Sequence, residues 1–122
     1  MGGSSQSERL ISEAEAAVLQ HLLAADAQAP ASALESLRSL VVVDRCECGC
    51  ASIDFAVPPS NTQQASPLLH GSGRSASGEE LGIIVWANGE CISGLEVTSY
   101  SNVPAPLPVL SSIQVVAGGD AA

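Results

Sequence analysis

The chain has 122 residues, enough for one hydrophobic core and too few for two. Four arginines and no lysine face 13 acidic residues, a formal net charge of -9, which disfavours nucleic acid and anionic membrane surfaces because both are bound through clustered Lys and Arg. The longest apolar runs, Ala16 to Ala25 and Leu81 to Ala87, fall far short of the roughly 20 residues a membrane helix needs.

Residues 1–6 read as a flexible tail, and Met1 to Arg9 lack the basic and apolar regions of a signal peptide. A cytoplasmic location with reduced thiols is the expectation. From Ser7 to Ala25, Leu10, Ile11, Ala14, Ala17, Val18, Leu22 and Ala25 recur at three- and four-residue spacing, which predicts an amphipathic helix. Pro30 breaks it, and Ser32-Ala33-Leu34-Glu35 has the capping-box pattern of a short second helix with Leu34 and Leu37 inward.

At Val41-Val42-Val43 the chain turns β-branched, and Ser52 to Val57 alternate, so a hairpin is predicted across the cysteine cluster. Its matching register pairs Val43 with Ile53, Val41 with Phe55 and Cys46 with Cys50, leaving Asp44, Ser52 and Asp54 on a polar face. Residues 58–80 are rich in Ser, Gly, Pro, Asn and Gln and read as a long exposed loop. A second hairpin follows, Leu81 to Ala87 and Cys91 to Tyr100, turning at Asn88-Gly89 with a type I′ signature and placing Cys91 beside Trp86. Gly94 marks a bulge that brings Leu95 and Val97 onto the face of Ile92. Pro104 to Pro108 must be extended, Val109 to Ala117 form an edge strand or lie on the surface, and residues 118–122 fray.

Candidate chemistry centres on Cys46, Cys48 and Cys50, three thiols within five residues. As thiolates they suit zinc, which takes four Cys or His donors in a tetrahedron. Cys91, or His70, would complete the site. The cluster lacks the Cys-x-x-Cys spacing of zinc knuckles and of thioredoxin-like motifs. Two other readings stand beside it. The cysteines are small residues of a tight turn with Cys91 a buried hydrophobe, or one is a reactive thiol, lowered by Arg45 and raised by Asp44 and Glu47. His21 falls on the apolar stripe of the first helix and reads as packing. His70-Gly71-Ser72-Gly73-Arg74 has the makings of an anion cradle but no strand-to-helix context, so a flexible loop is the better reading. Asp44 and Asp54 form a candidate carboxylate pair, with nothing else in the sequence marking a substrate cleft.

The run Asp44-Arg45-Cys46-Glu47-Cys48-Gly49-Cys50-Ala51-Ser52-Ile53-Asp54-Phe55, with Gly94-Leu95-Glu96-Val97, Tyr100 and the prolines to Pro108, resembles a group of small bacterial proteins over roughly residues 34 to 110. That group has no assigned activity, so the resemblance implies one compact domain in a bacterial cytoplasm and no catalytic role.

The sequence therefore predicts a single α+β domain over residues 7–117, with two N-terminal helices packed on a four-stranded, mostly antiparallel sheet built from two hairpins. The expected function is non-enzymatic, binding another protein through the polar sheet face or the long loop. The alternative is a zinc-binding module, and a thiol-dependent enzyme comes third.

Overall fold

A computed structural model describes residues 8–25, 31–45, 50–100 and 104–116. The expected tails at 1–6 and 118–122, and the residues Cys46 to Gly49, lie outside the described residues.

Among the described residues the sheet has seven strands, not four: β1 (Arg9–Leu10), β2 (Val41–Arg45), β3 (Ile53–Phe55), β4 (Ala65–Arg74), β5 (Glu80–Asn88), β6 (Cys91–Ser99) and β7 (Gln114–Val116). Their order is β1-β2-β3-β6-β5-β4-β7, and every pairing is antiparallel. The largest correction is β4, which occupies the stretch expected to be a loop. Its core-facing positions are Leu69, Gly71 and Gly73, all buried, so two of its three inward residues carry no apolar side chain. Their place is filled from outside the strand. A Cβ on Gly71 would stand 2.9 Å from Leu22 Cδ2, and one on Gly73 would stand 2.9 Å from Pro108 Cβ. β4 is held by its neighbours, since β5 pairs along its whole length and β7 along Gly71 and the residues beside it.

Helix α1 (Glu13–Ala25) begins later than its periodicity suggests, because Arg9 and Leu10 pair with Val42 and Val41 as an edge strand. The capping box lies here rather than at Ser32. Ser12 N–H donates to Glu15 Oε1 at 2.9 Å and Glu15 N–H to Ser12 Oγ at 3.1 Å, satisfying two donors that a helix start leaves free. Helix α2 (Ala31–Glu35) runs into a 3₁₀ turn, Leu37–Ser39. Leu37 is buried at 1% exposure, but Leu34 is 36% exposed and Ala33 takes the inward place.

Val18, Leu19, Leu22 and Leu23 of α1 belong to one aliphatic core with Val42, Ile53, Leu69, Leu81, Ile83, Val85, Leu95 and Val97. Phe55 is its only buried aromatic among the described residues. The proline segment is an extended strap across the end of the same face: Ala51 N–H donates to Ala105 O at 2.7 Å and Val109 N–H to Arg74 O at 2.8 Å. A 3₁₀ turn, Leu110–Ser112, then leads into β7.

Two hairpin registers differ from expectation. In β2–β3, Val42 opposes Phe55 and Asp44 opposes Asp54, with Val43 as an extra residue between them, so Val42 rather than Val41 or Val43 is the buried valine. In β5–β6, Asn88 opposes Cys91, making Gly89-Glu90 the turn. Gly89 alone of the two has positive φ, at 62°, which is the type II′ pattern. The bulge appears beside Gly94, with Ser93 as the extra residue, and Ile92, Leu95 and Val97 share the buried face as expected. No helix among the described residues is long and apolar enough to cross a membrane.

Candidate functional site on the open sheet face

With the helices and the strap on one face, strand alternation turns the intervening side chains to the other. One row there crosses four strands. Trp86 of β5 opposes Gly94 of β6, Gly94 opposes Asp54 of β3, and Asp54 opposes Asp44 of β2. In the adjacent row Ile84 opposes Glu96, with His70 beside Ile84 on β4.

Gly94 sets the spacing of the first row. A Cβ there would lie 3.2 Å from Asp54 Oδ1 and 3.6 Å from Trp86 Cβ, so no side chain stands in the row between Asp54 and Trp86. The indole is held in place, because Trp86 Nε1–H donates to Glu96 Oε1 at 3.0 Å. Behind it lies a cleft of about 380 Å³ lined by Cys50, Ser52, Asp54, Trp86, Glu96 and Thr98, with Leu95 and Val97 at its base. Ser52 closes the β3 side by bonding both backbone groups of Val97: its Oγ accepts from Val97 N–H at 2.9 Å and donates to Val97 O at 3.1 Å.

The face is acidic. Partial burial pushes the Asp54 carboxyl up from its ordinary value, and the charges of Asp44 and Glu96 push it further. No hydrogen bond or ion pair to the Asp54 carboxylate is present among the described residues. The arginines near α1 are engaged elsewhere: Arg9 with Glu15 at 2.8 Å and Arg38 with Glu13 at 2.7 Å.

The two cysteines among the described residues lie apart. Cys50 Sγ accepts from Ala105 N–H at 3.4 Å and lines the Trp86 cleft. Cys91 lines a separate groove of about 550 Å³ with Ser32, Ser36, Ser39 and Glu90. Cys91 opens β6, whereas Cys50 is two residues before Ser52, which is bonded to Val97 further along the same strand. Six residues of strand span roughly 20 Å at ~3.3 Å each, too far for two sulfurs to share one zinc at ~2.3 Å. Cys91 therefore does not complete a site with Cys50. Cys46 and Cys48 lie outside the described residues, and among those described no group of three or more Cys, His, Asp and Glu is placed to hold a metal ion.

His21 is exposed, not packed on the apolar stripe. His70 is half-buried inside β4, where Gly71 and Ser72 pair with β5 and β7, so this stretch is neither a loop nor an anion cradle. Asp44 and Asp54 do lie side by side on a polar face. Trp86 and Glu96 escaped the sequence reading as site residues, because the expected register paired Trp86 with Cys91. The available signal was Gly94: a bulge next to a bare position predicts a gap for a large neighbour.

Comparison of the chain with protein-family models, with curated proteins and with solved structures returns no match. The functional reading therefore rests on the open face itself.

Proposed function

We propose that this chain is a protein-binding module whose open sheet face receives a basic segment of a partner. The observation that carries this reading is the run of carboxylates Asp44, Asp54 and Glu96 on three adjacent strands around a half-buried tryptophan. Like charges directly opposite one another destabilise a sheet, and an incoming cation converts that repulsion into attraction. A net charge of -9 with no lysine supports the same sign of partner, since it steers cationic segments toward the surface and repels anionic ones. Trp86 and Ile84 add apolar area within the polar rim, the composition of a docking patch.

The test uses a synthetic decapeptide of alternating lysine and threonine, titrated into the full chain at 50 and 300 mM salt by calorimetry. Saturable binding that weakens at least several-fold at high salt, and is lost in the Asp44→Asn/Asp54→Asn double variant, is expected. Binding that is unaffected by the double variant overturns the assignment to this face. A zinc site shared by Cys50 and Cys91 gains no support, because these two cysteines line separate clefts.

A further inference from the structure

The cleft behind Trp86 is more selective than a charged surface needs to be. Resting on the reading just given, we propose that it takes the guanidinium of a single arginine from the basic partner, stacked on the Trp86 indole and paired with the Asp54 carboxylate.

Size, shape and charge each support this occupant. At about 380 Å³ the cleft is at the small end of ligand sites: it accommodates one long side chain and not a folded element. One wall is an indole, the aromatic ring with the strongest attraction for a cation. Its hydrogen bond to Glu96 fixes the ring before any ligand arrives, so little side-chain freedom is lost on binding. Across Gly94 stands Asp54, exposed and with no bond to its carboxylate among the described residues. A planar guanidinium matches both partners at once, face to indole and edge to carboxylate, whereas an ammonium is a compact, strongly hydrated point charge. Burial first, and then the charges of Asp44 and Glu96, raise the proton affinity of Asp54, and a cation at this position relieves the second of these contributions.

The chain contains one tryptophan, so its indole N–H gives one assignable resonance, and that resonance reports on this cleft alone. The experiment compares the lysine–threonine decapeptide with a version carrying arginine at one central position, following the ¹H–¹⁵N spectrum of the full chain. The arginine peptide is expected to bind at least threefold more tightly, to move the Trp86 indole resonance saturably, and to lose its advantage over the lysine peptide in Asp54→Asn. Trp86→Leu, checked for folding by its amide spectrum, is expected to abolish the same advantage in calorimetry. Equal binding of both peptides with the indole resonance unmoved overturns the arginine cleft and leaves the charged-face reading standing. Failure of both peptides to bind overturns the two together. An indole resonance that moves with protein concentration in the absence of peptide identifies a second copy of the chain as the occupant and also overturns the proposal.

Discussion

Asp54 is the residue at which binding and stability pull in opposite directions. Its folded-state pKa is raised by burial first and by Asp44 and Glu96 next, so the native state holds its proton more tightly than the unfolded chain does. Stability from this group is present at low pH and is lost as pH rises from the unfolded value of about 4 through the higher folded one. Asp54→Asn should therefore raise stability at pH 7, by about 0.5 kcal/mol for one opposed like-charge pair. Urea midpoints at pH 7 and pH 3 measure this, with the difference shrinking at the acid end; a less stable variant at pH 7 would sink the account. Glu15 has the opposite sign. The Arg9 guanidinium holds its carboxyl below the usual range, against the upward push of burial. Its contribution is present above about pH 4.3 and is lost as pH falls through the depressed folded value. Glu15→Gln should cost about 1 kcal/mol at pH 7, discounted for the exposure of Arg9, and should flatten the acid limb of the stability curve.

At the level of elements, the packing of α1 on β4 depends on the absence of a side chain at Gly71. A Cβ there would meet Leu22 Cδ2 at 2.9 Å and the Gln114 backbone oxygen at 3.0 Å. The leucine has rotamers to spare, but the carbonyl belongs to the β4–β7 ladder and cannot yield without breaking it. Gly71→Ala is expected to destabilise the chain by about 1–3 kcal/mol through overpacking, read as a lower urea midpoint at an unchanged slope. An increase in amide exchange over the unmodified chain that is larger across β7 than across β5 would locate the damage at that ladder.

Across the whole molecule, charge and salt act on stability and binding in opposite senses. With 13 acidic residues against four arginines, self-repulsion opposes the compact state, and it is screened over about 10 Å at 0.1 M salt. Raising salt from 10 to 200 mM should increase the melting temperature by ~2–4 °C while weakening the basic peptide. A melting temperature that falls with salt would show that the paired arginines outweigh the unpaired carboxylates. Asp44, Asp54 and Glu96 share in both effects, so removing one of these charges is expected to raise stability and weaken the peptide together.

The sequence by itself determined whatever is written in local periodicity and turn chemistry. The three- and four-residue spacing located α1 but not its inward face, since Leu10, Ala14 and Ala25 are exposed and Leu19 and Leu23 are buried; Asn88-Gly89 located the β5–β6 hairpin, the prolines required an extended strap, and Asp44 and Asp54 were legible as neighbours on a polar face. Tertiary structure decided the rest, because strand pairing is long-range and its register is set by extra residues that no local rule positions. Val43 is such a residue and moved the buried valine to Val42, while the β5–β6 turn at Gly89-Glu90, one residue later than Asn88-Gly89, gave Trp86 Gly94 as its partner in place of Cys91. β4 was invisible for the converse reason. Its inward alternation is carried by Gly71 and Gly73, and the apolar groups that make it a core strand, Leu22 and Pro108, belong to a helix and a strap distant in sequence.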